Sequence, residues 1–274
     1  MAEYVRCVVT YLDIMGFKAL FASKTAGEIA TDLTRFRKFA EGDEPGKPRN
    51  MTDFILQSRV HAEIVSDAVV RVRTTNTEYR DGPFVWELLD LLHIQIECIN
   101  AGIILRGATK IGDMHIGTKF GGPIFGQALT DAYLMEDKQV VYPMIAVDEE
   151  TIRQHLSDPS LWQEDNSQAD EIGFLEGFLT QDARDMWFID YLRASLTELD
   201  DGVAGWIAFM RKHRDLISRQ LQAGHCDRVR AKYEWLRNYH NRIVGIAPAG
   251  FYGEADEDFD WSWLDDVRTE LLVP

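Results

Sequence analysis

Two carboxylates stand where the chain has to turn. Asp13 closes a run of apolar and β-branched residues (Val8, Val9, Thr10, Tyr11, Leu12) and is followed at once by Ile14-Met15-Gly16-Phe17-Lys18. Asp67 sits between an apolar run ending at Val65 and another at Val69, Val70 and Val72, as on a tight hairpin. Two such side chains brought together can hold a pair of hard divalent cations, and sites of this kind act on nucleotide phosphates. The residues after Asp13 suit the same chemistry. Gly16 lets the backbone turn so that the N–H groups of residues 15–18, Gly16 and Phe17 among them, cradle phosphate oxygens. Lys18 adds a positive charge beside that turn, and the Ile14 carbonyl offers a further oxygen ligand. A single strand-end aspartate is otherwise an ordinary turn former or helix cap; the combination points beyond that.

The elements that must position these groups follow from periodicity. A strand is expected over about 4–13 and a helix over about 24–41, with Ile29, Leu33 and Phe36 on one face. Gly42–Pro48 reads as a loop. Residues 54–65 and 68–75 read as two strands around Ser66-Asp67, and a second helix over about 84–101 stops at Gly102. A strand from Ile103 to Gly112, a short paired strand near Met114–Gly117, a turn at Gly121-Gly122-Pro123, a helix over about 127–137 and a strand at Met144–Val147 complete the first part. The order predicts an α+β fold with a mixed or antiparallel sheet of the ferredoxin-like kind. After about residue 150 the pattern changes: polar loop over 157–171, a β-hairpin over 172–192 turning at Gln181–Arg184, and two long helices over about 199–222 and 225–244. On the second of these, Lys232 and His240 accompany an aromatic stripe (Tyr233, Leu236, Tyr239, Ile243) that reads as core or dimer packing, a base pocket touching substrate being the alternative. The acidic stretch 253–266, with Trp261 and Trp263, reads as surface. The division expected is a core over 1–150 and a C-terminal extension over 151–274 packed on it.

Composition excludes several classes. The 274 residues suffice for a large core, and the formal charge of -16 argues against a general nucleic-acid or anionic-membrane surface. No apolar run reaches the roughly 18 residues that span a bilayer, and the N-terminus lacks a signal-peptide pattern. Cys7, Cys98 and Cys226 are few and widely spaced, and read as reduced, buried thiols of a cytoplasmic protein. His61, His93 and His115 show no metal spacing.

Several segments are similar to one known family. Asp13-Ile14-Met15-Gly16-Phe17 resembles the Asp-Ile-x-Gly-Phe metal and phosphate motif of the class III nucleotidyl cyclases, and Ser66-Asp67 the hairpin carrying that family's second metal aspartate. Leu105-Arg106-Gly107-Ala108 resembles the strand after the second helix, and Phe125–Glu136 the family's dimer-interface helix. The likeness covers roughly residues 4–148. It departs from purine cyclases at four places: the interface-helix asparagine and arginine fall on Thr130 and Leu134, the adenine-reading lysine near Glu63, and an aspartate ahead of the interface helix near Pro123. The pattern is closer to the divergent pyrimidine cyclases of bacterial antiphage (Pycsar) systems, whose helical extension the segment Lys232–Asn241 also resembles.

That resemblance implies a cytoplasmic homodimer that uses Mn²⁺ or Mg²⁺ to convert UTP, or CTP, to the 3′,5′-cyclic nucleotide and pyrophosphate, the product being read by a separate effector protein. Asp13 and Asp67 would bridge two cations with the Ile14 carbonyl on one, and the backbone at Gly16 and Phe17 would hold the outer phosphates. Arg106 is the expected donor to the transferring phosphate, with Lys110 a second candidate; an interface ion pair is the alternative role for Arg106. UTP is favoured over CTP. A cyclase-fold sensor that binds nucleotide without turnover is the second reading, since Thr130 and Leu134 carry no charge. A nuclease or polymerase palm is the third, and the acidic surface speaks against it.

Overall fold

The computed structural model describes residues 4–18, 21, 24–41, 50–51, 54–55, 58, 60–117, 123–199, 201–246 and 262–274. The expected loop at 42–48, the glycines of the 121–123 turn and most of the acidic stretch, including Trp261, lie outside these.

Strand β1 (Val5–Ile14) alternates cleanly, with Cys7, Val9, Tyr11 and Asp13 on one face and Val8, Thr10, Leu12 and Ile14 on the other. Helix α1 (Ala26–Ala40) opens on a capping box in which Thr25 and Glu28 satisfy each other's backbone N–H groups, and it buries Ile29, Phe36 and Ala40. A two-residue ribbon, β2 (Asn50–Met51) with β3 (Phe54–Ile55), precedes the hairpin of β4 (Val60–Val65) and β5 (Ala68–Thr74). The single strand expected over 54–65 is therefore two elements. Helix α2 (Pro83–Asn100) begins with proline at its first position and ends before Gly102, whose φ of +78° stops it.

Strand β6 (Leu105–Ile116) is continuous for 12 residues, where a strand, a break at Gly112 and a paired strand at 114–117 were expected. Its ladder with β1 runs from Ile14↔Leu105 to Val5↔Met114 and carries the chain through Gly112; the true partner of its far end is β7 (Ile124–Phe125). Tertiary pairing outweighs the local glycine signal. Helix α3 (Gln127–Lys138) and β8 (Ile145–Val147) follow, the latter parallel to β6.

Beyond residue 148 the expectations need correction. Helix α4 (Glu149–Ser157), capped by Asp148, was not foreseen. Residues 168–178 form helix α5, not loop and strand: Ser167 and Asp170 make a second capping box, and Glu171 and Leu175, four residues apart, are its buried pair. The hairpin is only β9 (Leu179–Gln181) and β10 (Trp187–Ile189), turning where expected. Helices α6 (Tyr191–Glu198), α7 (Gly202–Gln222), α8 (Asp227–Ile246) and α9 (Ser262–Leu271) end the chain.

Among the described residues the main sheet has eight strands in the order β4-β5-β1-β6-β8-β10-β9, with β7 on β6. The first four strands, all antiparallel, with α1 and α2 as crossovers, are the ferredoxin-like β-α-β-β-α-β unit. The β9–β10 hairpin extends the same sheet, and one apolar core runs from Val8 and Leu12 through α2 to Tyr239 and Val273. A smaller cluster (Cys7, Val9, Val72, Met114, Ala128) fills the opposite face under α3. Cys7 and Cys98 are buried as expected, whereas Cys226 is exposed at the entry to α8. No helix among the described residues is long and apolar enough to cross a membrane.

Candidate active site

Asp13 occupies the last outward-facing place on β1, and register fixes its neighbours. It lies opposite Ala68 on β5 and opposite Arg106 on β6. Because β4 and β5 are joined by Ser66 and Asp67 alone, placing Ala68 beside Asp13 brings Asp67 to the same sheet edge. The Ile14 N–H donates to the Asp67 carbonyl (3.2 Å), stitching the hairpin tip to the end of β1. Ser66 holds φ at +62°, a left-handed conformation that favours glycine and costs a side-chain residue roughly 1 kcal/mol. That strained turn presents Asp67.

The Asp13 and Asp67 carboxyl groups share a hydrogen bond. Burial pushes the Asp13 pKa up to about 7, and the negative charges of Glu136 and Asp67 push the same way; Arg106 opposes them. Arg106 stretches between the acids: its Nη2 is 3.6 Å from Asp13 Oδ2 and pairs with Glu136 Oε1, while its Nη1 donates to the Val140 carbonyl at 3.1 Å. Gly107, next along, has no room for a side chain, since a Cβ there would come within 2.6 Å of the Tyr11 carbonyl. This close approach sets Arg106 tight against β1. Tyr11, on the face of Asp13, makes an edge-to-face contact with Tyr133 of α3 (5.3 Å), and its hydroxyl pKa is pushed up to about 12 by burial and by Asp13.

The predicted phosphate turn follows directly. Gly16 has φ +79°, so any side chain there would be strained, and residues 17–18 enter a helical turn. Phe17 is buried with its ring edge-on to Phe21, anchoring the turn, and Lys18 is exposed. The Met15 N–H donates to the Ile104 carbonyl (2.9 Å), so the cradle expected of residues 15–18 reduces to residues 16–18. Lys110 is not at the site: it pairs with Asp148, the cap of α4. Thr130 and Leu134 are exposed on α3 and supply no cation.

Sequence reasoning named Glu136 only as the end of the interface-helix segment and gave it no role. It is buried on the same helix face as Ala128 and Ala132, its carboxyl pKa raised by burial against the pull of Arg106. A glutamate in that small-residue row, four after Ala132, is a readable signal. Lys232 of α8 was set aside as packing, yet it lies within the electrostatic field of Arg106, Glu136 and Asp13.

Among the described residues no group of three metal-ligating side chains occurs. The donor set is two carboxylates on adjoining turns, crowded enough to share a hydrogen bond. That set fits an oxygen-seeking divalent cation, which would displace the proton of that bond and offset the like charges.

No family model and no curated protein matches the chain. Solved structures similar to it include the monomeric guanylyl cyclase domain of the RhoGC fusion protein from the aquatic fungus Blastocladiella emersonii (13% identity, 68% of this chain and 95% of that one, TM-score 0.41). The non-canonical dimeric form of that domain matches at 14% identity over 69% and 96% of the two chains (TM-score 0.42). The catalytic core of a rhodopsin-guanylyl cyclase with converted specificity, solved with ATPαS, matches at 14% identity over 68% and 96% (TM-score 0.42).

Proposed function

We propose that the protein is a nucleotidyl cyclase that converts UTP to 3′,5′-cyclic UMP and pyrophosphate. The observation that supports the cyclase reading is the meeting of Asp13 and Asp67 at one sheet edge, beside the left-handed turn at Gly16; the choice of UTP rests on the sequence resemblance alone. Asp13, Asp67 and the Ile14 carbonyl are the proposed ligands for two divalent cations, Mn²⁺ or Mg²⁺. Such cations supply acidification of the ribose 3′-hydroxyl and neutralisation of phosphate charge. The chain's own groups do the rest. The backbone at Gly16 and Phe17, with Lys18 beside it, binds the outer phosphates. Arg106, held by Glu136 and Val140, presents a guanidinium edge toward Asp13 and so toward the reacting phosphate. In-line attack of the 3′-oxygen on the α-phosphorus then expels pyrophosphate.

The protein is further proposed to act in the cytoplasm as a homodimer. Tyr4, Phe125, Tyr133 and Leu134 are exposed apolar side chains, with Tyr4 touching Phe125 and Tyr133 touching Tyr11, and they support an interface on the α3 side of the sheet. A role in antiphage defence, with a separate effector reading the product, rests on the sequence resemblance alone. The test is incubation of the purified protein with Mn²⁺ and each of the four ribonucleoside triphosphates, followed by product mass analysis. Cyclic UMP from UTP is expected; cyclic CMP from CTP keeps the reaction and moves the base. A second reading, a sensor that binds nucleotide without turnover, is favoured by the uncharged Thr130 and Leu134, and no cyclic product with retained nucleotide binding would support it.

A further inference from the structure

Lysine is a costly residue to half-bury within the field of two guanidinium groups, and the packing of α8 puts Lys232 there. The buried stripe of that helix runs through Tyr233, Leu236, Tyr239, His240 and Ile243. Lys232 lies one turn before Leu236, on the packed side and not on the solvated one. Trp235, three residues on, stacks flat on Tyr142 (5.3 Å, 7° between planes). Tyr142 belongs to the short loop after α3 that also contains Val140, whose carbonyl receives Arg106. Helix α8 is thus clamped onto the loop that holds Arg106, and Lys232, three residues before Trp235, comes within electrostatic reach of that guanidinium.

The half-buried ammonium is loaded unfavourably: burial, Arg106 and Arg228 disfavour its charge, and Glu136 and Asp13 only partly offset them. Among the described residues no carboxylate stands within ion-pair distance of it; Glu136 pairs with Arg106 instead. A half-buried position with no task would be filled more stably by an apolar chain of similar length. An anion entering beside Asp13 would relieve both cations at once.

We infer that Lys232 is a substrate-binding residue, donated by the C-terminal helices, that contacts the phosphate chain of the bound nucleoside triphosphate. The inference rests on the nucleotide-site reading above, and it makes α8 part of the site. Arg106 is already committed to Glu136 and Val140, so Lys232, like Lys18 beside the glycine turn, is a cation free to follow an arriving phosphate.

The test measures equilibrium binding of a non-cyclisable UTP analogue and of UMP to the full-length protein with Mg²⁺. It compares the wild type with Lys232→Met, Lys232→Arg, Asp13→Ala and, as a surface control, Arg230→Ala. Loss of one charge-assisted contact predicts triphosphate affinity weakened about tenfold in Lys232→Met, with UMP affinity within a few-fold of wild type. Lys232→Arg restores most of the triphosphate affinity, and Arg230→Ala is neutral. Equal triphosphate binding by wild type and Lys232→Met, with Asp13→Ala impaired, overturns the inference and leaves the nucleotide site standing. Parallel loss of UTP and UMP binding in both Lys232 variants also overturns it, because that marks a packing role. A wild type that binds no triphosphate removes the nucleotide-site reading itself.

Discussion

Two clusters of charge lie on opposite faces of the same sheet, and they are built to different rules. Behind the strands, Arg71 and Arg73 of β5 meet Glu87 and Asp90 of α2. Arg71 Nε is 2.8 Å from Glu87 Oε1 and its Nη2 2.8 Å from Asp90 Oδ2, while Arg73 reaches the same acids at 3.1 and 2.6 Å. Ala40, Ser58 and Thr10 satisfy further atoms. Two positive charges face two negative ones at buried positions; burial opposes the Arg71 charge, and the two carboxylates more than restore it. In front, Asp13, Asp67 and the buried Glu136 have one close guanidinium between them, while Asp13 and Asp67 remain partly open and share a hydrogen bond. The first cluster is complete without a ligand. The second has an excess of negative charge that a cation would complete.

The sharpest way to separate the two is to remove one carboxylate from the front. Asp13→Ala and Asp67→Ala should each abolish cyclisation while the protein still melts cooperatively at or above the wild-type temperature, because each acid sits at a turn and pays for crowding. Cyclic product from either variant would take away the metal assignment. The matched change at the back, Arg71→Ala, should lower unfolding free energy by about 3–5 kcal/mol by leaving two buried carboxylates underpaired. Denaturant titration measures it, and a loss below 1 kcal/mol would mean that the tetrad is not the structural element its burial indicates. Smaller is the effect of Arg106→Ala, which should lower kcat by roughly 10²-fold with stability little changed. A change within a few-fold would make Arg106 a strut between β6 and α3.

How far each cluster was legible in the sequence differs for a physical reason. Asp13, Asp67 and the Gly16 turn were readable because each lies at a strand end, and strand ends show as the place where alternation stops. Arg106 was readable from its place in a Leu-Arg-Gly-Ala strand. The buried tetrad was not, because Arg71 and Arg73 look like the solvated face of an edge-like strand until α2 is known to bring Glu87 and Asp90 over them. The fold divides in the same way. The ferredoxin-like unit followed from period and order, whereas α5 was misread because Ile172–Phe178 is densely apolar and aromatic; the Ser167–Asp170 capping box just ahead of it carried the correct signal. Lys232 was read with the packing stripe beside it; only the clamp of Trp235 on Tyr142 shows that α8 lies over the loop that holds Arg106.

The smallest expected effect is thermodynamic, and it tests the charge excess without relying on turnover. The Asp13 carboxyl has a folded pKa of about 7 against an ordinary value of 3.8. Between those values the folded protein holds a proton that the unfolded chain has released, so its contribution favours folding at low pH and is lost as pH rises from about 4 to 7. Asp13→Asn removes that titration. The variant should therefore be more stable than wild type at pH 8, by about 1–2 kcal/mol once the shift is discounted for the side chain's remaining exposure, and close to it at pH 4. Divalent cation should close the gap at pH 8 by stabilising the wild type and not the variant. Equal stability of the two proteins at pH 8 without metal would show that Asp13 is not crowded, and the contrast between the two clusters would reduce to burial alone.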